Sequence, residues 1–344
     1  MRQLKVLVVE DSLVFRELLV KSLNKDPAIT VVGTANDPYE ARDKIIELKP
    51  DVMTLDVELP KMSGIEFLRK LIPQYPMPVV VISSLNDKVF DALSAGAVDF
   101  VAKPTVTDRE QLDNFLTKDL PVKIKIASTA KISNIKKTKI TETPATAAIG
   151  NRKPAILAIG ASTGGTEAIY NVIKEFGPDI PGTVLVQHMP SGFTQMYAKR
   201  LDDQCRVSVK EAEDGDELRQ GLVLIAPGGD RQMRVVKNSA GKYIVKMSKE
   251  GKVNGHCPSV DVLFESVASL APPNMIGIIL TGMGGDGAEG LLKMRQAGAR
   301  TIGQDESTCV VYGMPKVAYD IGAVEFQEKL LDIPKRTYQI LSKM

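Results

Sequence analysis

Residues 155–165 read AILAIGASTGG, and this stretch decides how the second half of the chain folds. The apolar run Ala155–Ile159 has the length of a buried strand, and a glycine-bounded turn around Ser162 leads into a helix-like segment. A strand that turns sharply into a helix can hold a serine hydroxyl at the edge of a sheet, where a base can reach it. The chain has two histidines, His188 and His256. Few bases are therefore available, and a serine-nucleophile enzyme becomes a testable hypothesis.

The alternation of strand and helix patterns continues towards the C-terminus. Such alternation favours a parallel sheet with helices on both faces. A separate excursion, Arg234–Met247, indicates two strands joined by a turn. We therefore predict a second α/β domain, doubly wound and Rossmann-like, over residues 154–344. The strand-like runs after the first are Thr183–Val186, Leu222–Ile225, Met275–Leu280 and Arg300–Ile302.

Two further polar residues follow predicted strands of this domain. His188 comes shortly after the strand that ends at Val186, and Asp286 lies in the glycine-rich loop after Leu280. The carboxyl ends of parallel strands share one edge of a sheet. We therefore expect both side chains to meet Ser162 there, as base and as orienting acid. The chain order serine, histidine, aspartate differs from that of the α/β-hydrolases, in which the acid precedes the histidine.

A competing interpretation concerns the glycines of the same loop. Gly282, Gly284 and Gly287 satisfy the pattern G-x-G-x-x-G between a strand and a helix, and Asp305 follows about 20 residues later. This is the outline of a dinucleotide-binding site. It leaves the serine turn and His188 without a role.

The N-terminal residues show the same pattern of strands and helices over residues 1–118, which predicts a first α/β domain. Residues 119–153 have no aromatics and are rich in Lys, Thr, Ala and Ser, which is typical of a linker with little core of its own. Within them, Val122–Ile126 alternates and a short strand there is the alternative. The strand-like runs of the first domain are Lys5–Val9, Thr30–Thr34, Asp51–Leu55, Pro78–Ile82 and Asp99–Ala102.

Charged and hydroxyl side chains again lie where predicted strands end. In the first domain these residues are Glu10, Asp11, Asp56, Ser83 and Lys103. Crowded carboxylates suit Mg²⁺, which prefers oxygen ligands. A metal-neutralised aspartate can attack phosphorus and form an acyl phosphate, and an ammonium with a hydroxyl can hold the phosphoryl oxygens.

Composition excludes several classes of protein. The formal net charge of +2 gives no support for nucleic-acid binding. The three cysteines, Cys205, Cys257 and Cys309, are scattered and suggest neither a zinc site nor a disulfide framework. No apolar run reaches the roughly 18 residues that cross a bilayer, and the N-terminus lacks the pattern of a signal peptide. We therefore expect a cytoplasmic protein with no direct membrane insertion.

The first domain resembles the receiver domains of bacterial response regulators. The likeness is carried by Val8–Ser12, Asp56–Gly64 and Lys103-Pro104. It implies a flavodoxin-like fold, a histidine kinase as phosphodonor, and Asp56 as the phosphoacceptor. It further implies that Mg²⁺ is bound by Glu10, Asp11, Asp56 and the main-chain carbonyl of Glu58, and that the phosphoryl site includes Ser83, Lys103 and the aromatic switch residue Phe100.

The whole chain is similar to the chemotaxis protein-glutamate methylesterases, in which a receiver, a linker and an esterase domain occur in this order. The motifs that carry the likeness are Gly160–Gly165, Gln187–Met189, Asn254–Asp261 and Thr281–Gly287. The resemblance implies hydrolysis of glutamate γ-methyl esters on methyl-accepting chemotaxis receptors, with release of methanol and no cofactor in the catalytic domain. It also implies deamidation of receptor glutamines.

The resemblance gives the same roles to the serine, the histidine and the aspartate, with His188 rather than His256 as base. Main-chain amides at Thr163 and Met283 are expected to bind the oxyanion. Phosphorylation at Asp56 is expected to raise esterase activity by releasing the receiver from the catalytic edge. The alternative class is a phosphorylation-dependent binding module whose C-terminal domain is not catalytic.

Overall fold

The computed structural model describes residues 3–84, 87–104, 108–132, 155–270 and 274–344. The chain divides into two compact units, Met1–Lys137 and Thr138–Met344. Each contains a parallel sheet with helices between successive strands, which confirms the predicted α/β class.

The first unit has one sheet of five parallel strands in the order β2-β1-β3-β4-β5. This is the flavodoxin-like order, in which the chain changes direction between β1 and β3. The elements are β1 (Leu4–Val9), α1 (Leu13–Leu23), β2 (Ile29–Ala35), α2 (Pro38–Leu48), β3 (Val52–Asp56), α3 (Gly64–Gln74), β4 (Val79–Ser83), α4 (Lys88–Ser94), β5 (Asp99–Ala102), α5 (Arg109–Asn114) and α6 (Leu120–Ala127).

Local sequence fixes where α1 begins, beside the acidic pair that follows β1. Ser12 is the N-cap of α1, and its hydroxyl accepts the Phe15 N–H at 3.4 Å. The Glu10 carboxylate in turn accepts the Ser12 N–H at 3.2 Å. The helix start therefore holds the acidic residues at the carboxyl edge of the sheet.

The end of the first unit differs from the sequence prediction. Residues 120–127, assigned to the predicted linker 119–153, form α6, which continues from α5 through the π-helical turn Phe115–Asp119. Its buried side chains Leu120, Ile124 and Ala127 recur at helical spacing. The apparent alternation in Val122–Ile126 is thus one face of a helix that packs on β3, β4 and β5. The rest of the predicted linker, from residue 133 onward, lies outside the described residues.

The second unit has a seven-stranded parallel sheet in the order β14-β13-β12-β6-β7-β9-β8. An antiparallel hairpin, β10 with β11, forms a separate small sheet as predicted. The elements are β6 (Ala155–Ala161), α7 (Gly165–Ile173), β7 (Gly182–Gln187), α8 (Phe193–Gln204), β8 (Ser208–Glu211), β9 (Leu222–Ile225), β10 (Gln232–Lys237), β11 (Tyr243–Ser248), α9 (Val260–Leu270), β12 (Asn274–Ile279), α10 (Ala288–Gln296), β13 (Arg300–Gln304), α11 (Met314–Asp320), β14 (Phe326–Glu328) and α12 (Ile333–Leu341).

The position of β6 in this sheet decides where a site can form. The chain runs from β6 outward to β7 on one side and later to β12 on the other, so β6 lies at the point where strand order reverses. Ligands of open α/β sheets bind outside the carboxyl ends of strands at such a point. Ser162 follows β6 directly and therefore lies at this position.

Candidate functional sites

The turn at Ser162 is held by its neighbours on both sides. Gly164 has φ +76° and ends the turn as the N-cap of α7, a conformation in which a side chain would be strained. The Ser162 carbonyl accepts the Gly165 N–H at 2.7 Å and the Gln187 side-chain amide at 2.9 Å. The Ser162 N–H donates to the Thr281 carbonyl at 3.0 Å. The serine is therefore fixed between β7 and the loop after β12.

Close contact with the loop after β12 completes this side of the site. A Cβ atom at Gly282 would lie 2.8 Å from Ser162 Cβ, so only glycine lets this loop approach the serine. The same loop carries Asp286 and ends at Gly287, which caps α10 at φ +92°. The glycines of the G-x-G-x-x-G pattern thus pack the loop against the serine turn.

The dinucleotide interpretation finds no support in this geometry. Asp305 accepts the Ser307 N–H at 2.9 Å and caps a single helical turn, Glu306–Thr308. The Asp286 carboxylate in the glycine-rich loop would repel a pyrophosphate, and it already accepts hydrogen bonds from protein donors. Asp305, the acid that such a site would use to bind the ribose, thus has a structural partner instead.

His188 and Asp286 form a hydrogen-bonded pair at the same edge. His188 Nε2 lies 2.8 Å from Asp286 Oδ2, and the two side chains are 8% and 1% exposed. The main-chain N–H of His188 donates to Ala161, the residue before the serine, at 3.2 Å. The structure therefore brings the predicted base and acid together, beside the predicted nucleophile.

Five donors surround the Asp286 carboxylate. Besides His188, they are the Ser259 hydroxyl at 2.6 Å, the Val260 N–H at 2.7 Å, the Asn254 side-chain amide at 3.1 Å and the Asp261 N–H at 3.2 Å. Two of these are the first amides of α9, where the helix dipole favours a negative charge. Burial alone would raise the pKa of Asp286, but the bonds from His188, Ser259 and Val260 outweigh it and hold that pKa well below its usual range. Asp286 is therefore ionised at neutral pH.

An ionised Asp286 fixes the tautomer of His188. Because Oδ2 is an acceptor, Nε2 carries the ring proton, and Nδ1 keeps the lone pair that a base needs. Nδ1 is buried and has no hydrogen-bond partner within the described ranges. The Ser162 hydroxyl likewise makes no hydrogen bond to another described residue, and uncomplexed active sites often close this contact only when substrate is bound.

His256 lies against the proposed base rather than in its place. Its ring stacks on the His188 ring with 3.7 Å between centroids and 7° between planes. The sequence motif Asn254–Asp261 thus contributes a stacked ring and four of the donors to Asp286. The spacing of this motif indicates none of these contacts, since they join residues far apart in the chain.

The first unit brings its predicted site residues together as well. One carboxylate oxygen from each of Glu10, Asp11 and Asp56 lies within 4.8 Å of the others. Lys103 Nζ lies 2.9 Å from a Glu10 oxygen and also bonds Asp56. The Glu58 N–H donates to Asp56 at 2.8 Å. The three carboxylates and the lysine therefore share one edge of the sheet.

The buried Glu10 carboxylate bears on which ion this cluster could hold. Burial raises the pKa of Glu10 to about 7, and the charge of Asp56 adds to the rise although Lys103 opposes it. A divalent cation would favour the ionised form, and the all-oxygen donor set fits Mg²⁺. The other two predicted residues, Ser83 and Phe100, are buried as well, at 1% and 5% exposed.

Comparison with known proteins matches each of the two units to a family. Residues 157–337 match the family model described as CheB methylesterase, and residues 6–117 match that of the response regulator receiver domain. A relative from Syntrophomonas wolfei, described as a protein-glutamate methylesterase/protein-glutamine glutaminase, is 57% identical over 344 residues, covering 100% of this chain and 99% of the relative. One from Sulfurimonas denitrificans with the same description is 49% identical, covering 99% of each chain.

A solved structure matches the second unit. The crystal structure of the Thermotoga maritima CheB methylesterase catalytic domain is 37% identical and aligns with a TM-score of 0.52, covering 54% of this chain and 97% of that one. Among the described residues, no helix is both long enough and apolar enough to span a membrane.

Proposed function

The chain belongs to the CheB methylesterase family, and we propose that it hydrolyses glutamate methyl esters on methyl-accepting chemotaxis receptors in the cytoplasm, under control of phosphorylation at Asp56. The observation that carries the proposal is the His188–Asp286 pair beside Ser162, at the point of the sheet where strand order reverses. These are the parts of a serine hydrolase: a nucleophile, a base with a free nitrogen, and a buried acid.

The proposed reaction begins with attack of Ser162 Oγ on the ester carbonyl carbon, while His188 Nδ1 takes the hydroxyl proton. Asp286 stabilises the imidazolium through Nε2–H. When the carbon–methoxy bond breaks, His188 returns the proton to the leaving oxygen, and methanol departs. Water then attacks the acyl-enzyme with His188 again as base, which restores Ser162 and leaves the glutamate carboxylate.

The donors for the oxyanion are main-chain amides. The Ser162 N–H is already bonded to Thr281, so the neighbouring amides must serve. Thr163 lies at the entry to α7, whose N-terminal dipole points to the same region. Met283 lies in the loop that touches the serine turn, and its N–H makes no hydrogen bond to a described residue. Thr163 and Met283 are therefore the proposed oxyanion donors.

The same acyl-enzyme can form from a glutamine side chain, with ammonia as the leaving group in place of methanol. The names of the relatives include a glutaminase activity. Deamidation of receptor glutamines is accordingly part of the proposal, and it needs no additional residue or cofactor.

In the receiver we propose that Asp56 accepts a phosphoryl group from the chemotaxis histidine kinase. Mg²⁺ bound by Glu10, Asp11, Asp56 and the Glu58 carbonyl would supply positive charge for this transfer. Lys103 already bonds both Asp56 and Glu10, so it is placed to hold a phosphoryl oxygen. Ser83 and Phe100 are the proposed residues that respond to the phosphoryl group.

Labelling with a serine-directed phosphonate tests the catalytic part of the proposal. An activated Ser162 should form a phosphonyl adduct that mass spectrometry of the peptide locates, and His188→Ala should slow its formation strongly. Another serine, Ser269, serves as internal control because it lies far along helix α9 and donates to a helix carbonyl. If Ser162 reacted no faster than Ser269, the domain would be the non-catalytic binding module.

A further inference from the structure

His188 has too few polar contacts to fix the plane of its ring. Its side chain has one hydrogen bond, from Nε2 to Asp286, and Nδ1 has no partner within the described part of the chain. A single bond at one corner still allows the ring to tilt about the line of that bond. Tilting would swing Nδ1, the atom that must meet the serine hydroxyl, away from its path. Packing on the ring faces must therefore set the plane.

The His256 ring supplies such a face. The two imidazoles are nearly parallel, 7° apart, and their centroids are 3.7 Å apart, which is van der Waals contact over the whole ring. A flat surface at this distance allows the His188 ring to slide within its plane but not to tilt. It also excludes water from that face.

The main chain that carries His256 is itself fixed. His256 and Val253 exchange two main-chain hydrogen bonds of 2.9 Å. Gln232, which is fully buried, donates to the carbonyls of Gly251 at 2.7 Å and His256 at 3.3 Å, and it accepts the Ser259 N–H at 2.8 Å. One glutamine thus ties together both ends of the loop around His256.

We propose that His256 is a positioning residue that sets the ring plane of His188 through stacking, held in place by Gln232. The planar ring of His256 performs this role, and its nitrogen atoms do not. The proposal rests on the proposed esterase function, which makes His188 the base. It assigns His256 no contact with substrate and no proton transfer.

The test compares two replacements of similar size in the full chain. His256→Phe keeps a flat ring, and His256→Leu replaces it with a branched side chain. On methylated receptor membranes we expect His256→Leu to lower kcat by up to about 100-fold, the cost of misplacing a catalytic group by about 1 Å, with KM unchanged. His256→Phe should retain most of the wild-type kcat.

A spectroscopic readout separates this proposal from the proposed function. Because the chain has two histidines, either variant, prepared without a histidine tag, shows the imidazole signals of His188 alone. A stacked ring shifts those proton signals upfield. We expect the shift in the wild type and in His256→Phe, and its loss in His256→Leu, whether or not the receptor is a substrate.

Three outcomes would overturn the proposal. Equal kcat for His256→Leu and the wild type would show that the stack is dispensable. Equal losses in the Phe and Leu variants, with both folded by circular dichroism, would show that the imidazole acts through its nitrogens. A change in KM alone would show that His256 contacts substrate. If instead the wild type failed to release methanol while the ring shifts behaved as expected, the substrate assignment would fail and the positioning role would stand.

Discussion

Replacing Asp286 with asparagine tests the feature on which the proposed mechanism most depends, a buried carboxylate that accepts hydrogen bonds from five donors. Asparagine has the same shape, but its NH₂ group must face one set of those donors. If the NH₂ group lies at the Oδ2 position, it faces the Val260 N–H, which can only donate. It also faces His188 Nε2, which can accept a hydrogen bond only after its proton moves to Nδ1. Turned the other way, it meets the Asp261 N–H and the Asn254 amide.

Both orientations have a cost that can be estimated. If the proton of His188 moves to Nδ1, the base loses its lone pair towards the serine, and kcat should fall about 10⁴-fold, as expected when a triad histidine takes the wrong tautomer. At least one buried N–H loses its acceptor and the remaining bonds lose their charge assistance, which together cost about 3 kcal/mol in the free energy of unfolding.

The stability difference should depend on pH in a defined direction. Because the pKa of Asp286 is depressed in the folded state, its stabilisation is fully present above the unfolded value of about 3.9 and is lost as pH falls through the folded value. The wild type and Asp286→Asn should therefore converge in stability as the pH is lowered below about 4. Urea unfolding followed by circular dichroism measures this, alongside methanol release at neutral pH.

Asp261→Asn is the matched control. Asp261 is also buried and shares the Asn254 amide, but its carboxylate bonds Gly290 and does not touch His188. The kcat of Asp261→Asn should fall much less than that of Asp286→Asn. If Asp286→Asn kept a kcat within about tenfold of the wild type, the orienting role of this acid would be refuted.

Three further predictions concern the first unit. Because the pKa of Glu10 is raised to about 7 without metal, Mg²⁺ must displace a proton from this carboxyl, and the affinity for Mg²⁺ should weaken as pH falls through 7. Calorimetry in buffers of different ionisation enthalpy measures both the affinity and the proton release. An affinity independent of pH would contradict the prediction. Asp56→Asn should abolish any effect of a small-molecule phosphodonor on methanol release while leaving the basal rate, and a persisting response would place the phosphoacceptor elsewhere. Ile124→Ala should lower the stability of the receiver by about 3 kcal/mol because the side chain is fully buried, whereas an effect near zero in urea unfolding would show that α6 does not belong to its core.

Much of the fold follows from apolar runs in the sequence. The central strands β6, β7 and β12 are almost wholly buried and read as continuous apolar stretches, so their ends were predictable within a residue or two. The edge strands β8 and β14 gave no such signal. They are short and carry polar residues, as exposed sheet edges do.

The candidate site was predictable only in part, for a physical reason. Ser162, His188 and Asp286 could be placed together because each follows a strand of one parallel sheet. The four other donors to Asp286 come from Asn254–Asp261, between 25 and 32 residues away in the chain, and no local pattern indicates such contacts. The stack of His256 on His188 depends on the same distant loop and on Gln232, so only the folded chain shows it.

The measurement that bears most directly on the central claim is methanol release from methylated receptor membranes, by the full chain and by its Ser162→Ala and His188→Ala variants, with and without phosphodonor. The wild type should release methanol, faster with phosphodonor, and both variants should release none while keeping the wild-type circular dichroism spectrum. Release that persisted in a folded Ser162→Ala variant would contradict the assignment of the nucleophile and with it the proposed mechanism.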